Sequence, residues 1–305
     1  MAVDILMSTY NGEQYLENQL LSLLMQRYKD WTLYIRDDGS TDNTLSIIEK
    51  FTQLDERIKL VEAGENLKHG KSFFSLLKYA TAEYIAFCDQ DDIWFEDKLT
   101  HLLALAETEN LNSDQFPSLI CSQGYNYSNK TGLITKGLIP KYYANTLQEF
   151  LFLNGGYEGC LFLFNRALLE MAKSYTAPFY GHDNVVCLIA HTFGKVKYLT
   201  LPLMLYRIHE KNTSGIKKIG FLTRVKTFFR TDATVVTKVA YDQQKEFFDF
   251  FYSKLTEQQK GIFEAYLAFP SLCKWGRIKL LVKNKFRLGQ YRGVLILKTI
   301  LRRAI

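Results

Sequence analysis

The chain has few cysteines, and the five present are scattered: Cys88, Cys121, Cys160, Cys187 and Cys273. Their number is odd, and their spacing matches neither a zinc site nor a disulfide framework. Reduced core thiols in the cytosol are the expectation. No apolar run approaches the roughly 20 residues that span a bilayer. The opening Met1-Ala2-Val3-Asp4 lacks a basic region followed by an apolar one, so no secretory signal is expected. There is no internal repeat and no low-complexity tract. Acidic side chains are also missing from one region: none occurs beyond Glu264.

What is present is ordinary for a globular protein. Apolar residues make up 47% of the 305 and charged residues 23%, which argues against disorder. The length suits one large or two modest domains. The net charge of +6 hides an asymmetry. Residues 216–305 carry 19 Lys+Arg and 6 Asp+Glu, whereas residues 1–215 carry 19 and 26. Two regions with different partners are expected, divided at 215/216.

The first region alternates short buried-type strands with helical spacings. Strands are predicted over 3–8, 31–36, 58–62 and 84–88. Helices are predicted over 13–26, from a Ser40 or Thr41 cap through Phe51, and from Phe73 to Ala80. This βαβαβαβ order implies a mostly parallel sheet with right-handed crossovers. Further on, strands are expected over 118–127, 156–164 and 196–200, and helices over 165–172 and 182–193.

Ligands of such sheets bind at the carboxyl ends of the strands. Polar clusters fall there. Thr9-Tyr10-Asn11-Gly12 follows the first strand, Asp37-Asp38-Gly39-Ser40 the second, and Asp89-Gln90-Asp91-Asp92 the fourth. Each alone could be a turn or a helix cap. Together they mark one rim. Three carboxylates packed as in FCDQDDIW (87–94) repel one another unless a cation or open water relieves them.

In these residues the chain resembles glycosyltransferase family 2, the inverting, nucleotide-sugar-dependent transferases of GT-A fold. The matching stretches are STYNGEQYLENQLLSLLMQ (8–26), IRDDGSTDNT (35–44), FCDQDDIWFEDKL (87–99), GHDNVV (181–186) and YRIHEKN (206–212). Their wording is most similar to bacterial rhamnosyltransferases of cell-wall or capsular polysaccharide synthesis. The resemblance implies an α/β, Rossmann-like sheet with flanking helices. To this the sequence adds a C-terminal helical region.

The resemblance also implies roles. A departing diphosphate needs a divalent cation, Mg²⁺ or Mn²⁺, held by hard oxygen donors. The family's DxD motif falls on Asp89 and Asp91. Asp91 is the expected direct ligand, Asp89 lies nearer the donor sugar or ribose, and Asp92 is an alternative or supporting ligand. His209 completes the metal site or is a structural histidine, and Arg207 sits beside the phosphates. Asp183 is the expected base, because an acceptor hydroxyl must lose its proton as it attacks. It could also cap its helix. Many members carry Glu before this aspartate, and His182 stands there instead, which bears on acceptor contacts. Thr9 and Asn11 flank the base and ribose. Asp37, or alternatively Asp38, accepts from the pyrimidine N–H. Trp94 is an acceptor-side wall or core packing, Glu158 an acceptor-pocket candidate, and Lys71 a donor contact or a solvated lysine.

The implied reaction is one in-line displacement with inversion, giving an α-linked product from a β-linked dTDP-L-rhamnose. A UDP-hexose donor is the alternative. Expected partners are the nucleotide sugar and a saccharide or lipid-linked saccharide acceptor. The basic stretches at 216–222, 224–230 and 278–305 mix cationic and apolar residues, which suits the anionic inner face of the cell membrane. Plain packing or a homodimer is the other reading, and no nucleic-acid motif is present. A nucleotidyltransferase would need a basic glycine-rich loop after the first strand, and a processive synthase would need membrane helices with a QxxRW motif; neither is found. A non-catalytic nucleotide-sugar-binding partner is disfavoured by the DxD together with Asp183.

Overall fold

The computed structural model describes residues 1–111, 116–209 and 233–305. By contacts the chain forms two compact units. The first comprises Met1–Lys141, Tyr157–Ser174 and Gly181–Thr213, and the second Tyr142–Gly156, Tyr175–Tyr180 and Ser214–Ile305.

The first unit is built on β1 (Val3–Thr9), β2 (Trp31–Asp37), β3 (Ile58–Ala63) and β4 (Tyr84–Asp89). β1 and β4 are almost wholly buried, as expected for strands covered on both faces. β5 (Ile93–Trp94), β6 (Ser118–Ser128), β7 (Leu133–Ile139), β8 (Phe162–Asn165) and β9 (Lys195–Ile208) complete the sheet. Its order is β3-β2-β1-β4-β8-β6-β9-β5, with β7 paired to β6. β3, β2, β1 and β4 run parallel. β8 is antiparallel to both β4 and β6, while β9 is parallel to β6. Helices α1 (Leu16–Leu24), α2 (Thr44–Leu54), α3 (His69–Leu76) and α4 (Lys98–Thr108) connect the early strands. α1 buries Leu16, Leu20 and Leu23 at helical spacing. α6 (Arg166–Ser174) and α7 (His182–Phe193) follow, while the short α5 (Leu147–Phe150) belongs to the second unit.

The register places the site. Thr9 pairs with Asp37 and Ser8 with Asp89, so β1, β2 and β4 deliver their polar ends to one level.

Three expectations are corrected. Residues 156–164 are not one strand. Gly156 has a positive φ of 80°, Gly159–Leu161 form a 3₁₀ turn, and β8 begins only at Phe162. The strand expected over 196–200 runs on to Ile208 and takes in Tyr206-Arg207, because Leu203, Met204 and Tyr206 pack inward. Ser40 and Thr41 do not cap α2. The Ser40 hydroxyl donates to Asp37 instead, and the Asp42 carboxylate accepts from the Thr44 amide at the helix start.

Gly194 ends α7 where β9 begins. A Cβ there would lie 1.7 Å from the Pro117 carbonyl oxygen, which is held by the Lys195 amide at 2.9 Å. Gly194→Ala is expected to destabilise the protein by about 1–3 kcal/mol, because backbone and not a flexible side chain must yield. A urea titration followed by circular dichroism measures it.

The second unit has an aromatic core. Phe152 meets Tyr266, Phe269 and Phe286 edge-on, each at 5.2 Å between ring centres. Its long helices are α8 (Lys238–Phe251), α9 (Glu257–Ala268), α10 (Lys274–Lys283) and α11 (Arg292–Leu301). α9 opens with a capping box between Thr256 and Gln259. The basic stretches at 216–222 and 224–230, and the loop after His209, lie outside the described residues. Among the described residues no helix is long and apolar enough to cross a membrane.

Candidate active site

The polar segments are tied together by their own hydrogen bonds. Asp37 accepts from the Thr9 hydroxyl at 2.9 Å, the Ser40 hydroxyl at 2.6 Å and the Ser40 amide at 2.8 Å. Gly39, between them, has φ of 84°, and a Cβ there would meet the Gly64 carbonyl at 2.8 Å. Asn11 links the first two segments: its amide donates to the Ser40 hydroxyl, and its side-chain oxygen accepts from the Thr41 amide at 2.8 Å. Gln90 exchanges two hydrogen bonds with the Tyr10 backbone, at 2.9 and 3.0 Å, which joins the DQDD segment to the first loop. Asp38 is paired with Arg36 and accepts from the Leu67 and Lys68 amides. Thr9, Asp37 and Asp38 are therefore buried organisers of the rim, hydrogen-bonded to other groups of the protein. Lys71 is exposed on α3.

The end of β9 closes on the DQDD segment. The Arg207 amide donates to Asp92 Oδ1 at 3.0 Å, and Arg207 Nε donates to the Asp91 carbonyl at 2.6 Å. Arg207 Nη1 donates to Asn129 Oδ1 at 2.8 Å, and the guanidinium lies over the rings of Tyr15 and Tyr127. His209 Nε2 is 2.6 Å from Asp91 Oδ2, with the imidazole stacked on Tyr15 at 4.7 Å. An aspartate and a histidine separated by more than a hundred residues thus present an oxygen and a nitrogen at one point.

The deeper carboxylates differ. Burial pushes the Asp92 carboxyl well above the usual carboxylate range, and the negative fields of Asp91 and Asp89 push it further. Asp92 Oδ2 is buried with no hydrogen-bond partner. Burial also raises Asp89, against the field of His69. Ligand atoms of Asp89, Asp92 and Cys160 lie within 4.8 Å of one another. Burial raises the Cys160 thiol, so it stays protonated and is a poor partner for a hard cation. Nearby, Lys98 is fully buried, donates to the Cys160 carbonyl and lies over Trp94; burial lowers it to about 8. The carboxylates, the orphaned Asp92 oxygen and His209 fit Mg²⁺ or Mn²⁺.

Across from them, α7 begins with His182 and Asp183. A Cβ on Gly159 would lie 3.0 Å from His182 Nε2 and 3.4 Å from the Asp183 Cβ, so the Glu158–Cys160 turn packs against the helix start. Burial pushes Asp183 up to about 7; the Asn184 amide on its Oδ1 opposes this, and the fields of Asp89 and Glu158 add to it. Burial raises Glu158 as well, and its Oε2 has no partner. A half-buried carboxyl adjusted to neutrality has the properties of a general base. His182 is only 2% exposed. It stacks on Phe73 at 4.2 Å and meets Phe87 edge-on at 4.7 Å. Trp94 is likewise buried, under Lys98.

The sequence reading missed Tyr15, Asn129, Lys98, Cys160 and His69. Only Lys98 left a signal. It shares a helix face with Leu102 and Ala106, all three buried, and a lysine on such a face calls for a partner.

The family model described as glycosyl transferase family 2 matches residues 4–171. The chain is 31% identical over 233 residues to the Shigella flexneri dTDP-rhamnosyl transferase RfbG, covering 72% of this chain and 77% of that protein. The chain belongs to glycosyltransferase family 2. This glycosyltransferase also shares the GT-A fold of solved transferases. S. aureus TarS in complex with UDP-GlcNAc superposes with a TM-score of 0.58 at 17% identity, covering 98% of this chain and 89% of that one. The mannosyltransferase PcManGT from Pyrobaculum calidifontis, in complex with GDP-Man and Mn²⁺, gives 0.53 at 15% identity, with 92% and 73% covered.

Proposed function

We propose that this glycosyltransferase moves L-rhamnose from dTDP-L-rhamnose onto a growing bacterial cell-surface polysaccharide or lipid-linked saccharide. In this reading it works on the cytoplasmic side, as a peripheral protein of the inner membrane face. The observation that carries the transferase chemistry is the pairing of two opposed groups in one unit. Asp91 and His209 meet at the end of β9, and Asp183 is raised to about 7 at the start of α7. The sugar rests on the likeness to RfbG.

Asp183 takes the acceptor proton as the hydroxyl attacks the anomeric carbon from the face opposite the diphosphate. No covalent intermediate is needed, and configuration inverts. Asp91, Asp89 and His209, with Asp92 in support, would hold a divalent cation that neutralises the charge of the leaving diphosphate. Arg207, fixed by Asn129 and two tyrosines, adds positive charge beside that point. Asn11 and the Thr9–Asp37 frame shape the nucleotide end of the rim. Glu158 stands beside Asp183 on the acceptor side. Buried His182 and Trp94 support the wall from behind.

The test is release of nucleoside diphosphate from a panel of dTDP- and UDP-sugars, with and without Mg²⁺ or Mn²⁺, using a rhamnose-containing lipid-linked acceptor. Metal-dependent turnover with dTDP-L-rhamnose alone is expected. Turnover confined to a UDP-hexose would retain the chemistry and overturn the sugar.

A further inference from the structure

The second unit contains a cavity of about 540 Å³ that the transfer reaction does not use. Its wall includes Lys274, Arg277, Arg302 and Arg303, with Pro270 and Ile305 beside them. Four cationic side chains line it and no acidic one does. Residues 265–305 contain no Asp or Glu, so no acidic side chain from this part of the chain joins them.

The wall is built, not draped. Arg277 Nε donates to the Phe269 carbonyl at 3.2 Å and its Nη2 to the Pro270 carbonyl at 2.9 Å. Two of the five donors of the guanidinium fix its plane. Arg303 is held by the main chain: its carbonyl accepts from the Val235 amide at 2.8 Å and its amide donates to the Ala233 carbonyl. The Val236 amide bonds the Ala304 carbonyl at 2.9 Å, which fixes the next residue too. A cluster of guanidinium and ammonium groups gathered around one fixed guanidinium is matched by phosphate oxygens.

The surrounding surface is apolar as well as basic. On α10, Trp275, Lys279, Val282 and Lys283 follow one another at helical spacing, and all four are exposed. Trp275 is 75% exposed, unusual for an indole on a water-facing helix. On α11, Leu297 and Ile300 are exposed one turn apart, and Ile305 follows. Basic residues interleaved with an exposed indole and aliphatic side chains match the headgroup zone of an anionic bilayer, where charge attracts and apolar side chains insert. A nucleic acid would answer the charge but would leave the aliphatic stripe in water.

We infer that the C-terminal unit docks on an anionic phospholipid surface through α10 and α11, with a lipid phosphate seated among Lys274, Arg277, Arg302 and Arg303. This surface is independent of the donor-sugar assignment. It deepens the peripheral-membrane part of the reading above by naming the site.

The experiment is co-sedimentation of the full chain with vesicles of phosphatidylcholine alone, or of phosphatidylcholine mixed with phosphatidylglycerol. Binding is expected only to the mixed vesicles, with a blue shift of tryptophan fluorescence, and it should weaken as salt rises. Replacing Lys274 and Arg303 together by Gln removes two charges and is expected to weaken binding roughly 30-fold. Trp275→Ser should abolish the blue shift. Donor hydrolysis in solution, a property of the first unit, should be unchanged in both variants. That result shows that the variants are folded and separates failure of docking from failure of the transferase reading. Equal binding to neutral vesicles, no binding, or a double variant that binds as well as the parent would overturn the inference. So would full competition by millimolar inorganic phosphate, which would mark a soluble-anion site, or binding of a short RNA with greater avidity than the vesicles.

Discussion

Asp183→Asn is expected to lower kcat by about 10²–10⁴-fold while leaving donor binding intact, the range that a positioned general base supplies. Asn is nearly isosteric and retains an oxygen for the Asn184 amide, which now bonds Asp183 Oδ1 at 2.8 Å. Only the ability to take a proton is lost. The parent's rate should carry the signature of this group. Asp183 sits at about 7, far above the ordinary carboxylate value near 3.9. The base works only when ionised, so turnover should rise with pH through about 7, falling tenfold for each unit below it; the residual activity of the variant should lack that limb. Stability should move the other way. Because the folded state favours the neutral acid, ionisation costs stability as pH climbs above the unfolded value, and the full cost is felt beyond about 7. The variant, which cannot ionise, should therefore melt higher than the parent near pH 8 and equally near pH 3. A variant with normal turnover would remove Asp183 from the reaction; one that is inactive but melts lower at alkaline pH would show that the side chain holds the helix start instead.

Much of this was legible in the chain because buried parallel strands announce themselves. Val3–Thr9 and Tyr84–Asp89 are apolar runs that end abruptly in polar residues, and α7 begins where His182-Asp183 interrupts an apolar sequence. The rim could be read for the same reason: carboxyl ends of adjacent parallel strands must meet. What stayed hidden depends on long-range register. Nothing local says that β8 inserts between β4 and β6, or that β6 and β9 pair along most of their length. Nor does a DDGS motif say which way its carboxylates turn. In the fold both turn inward, Asp37 to Thr9 and Ser40 and Asp38 to Arg36. Tyr15 and Asn129 escaped because their roles are second-hand. They hold Arg207 and His209, and a residue that positions another has no pattern of its own.

The remaining large effect concerns Asp91. Asp91→Asn is expected to cost two to three orders of magnitude in kcat/KM, since neutralising a leaving diphosphate is worth several kcal/mol. The structure offers two places for a cation, and this variant distinguishes them. One is the Asp91–His209 pair at the rim, where an oxygen and a nitrogen already lie 2.6 Å apart. The other is the deeper Asp89–Asp92 pair near Cys160. At the rim, Asp91 loses its ligand charge directly, so the variant should need far more Mn²⁺ for half-maximal rate, and His209→Asn should shift the same titration by a smaller factor, about 10–100-fold. Arg207→Lys keeps the positive charge but loses the fork that grips Asn129 and the Asp91 carbonyl; its metal titration should be little changed while kcat falls. A cation in the deeper pair would reverse this order: Asp91→Asn and His209→Asn would leave the Mn²⁺ titration nearly unmoved, and Asp92→Asn would abolish it. The deeper site is the weaker choice on physical grounds. Asp92 is wholly buried and raised well above the usual range, so it must lose a proton in an apolar setting before it can bind, whereas Asp91 and His209 are both partly exposed.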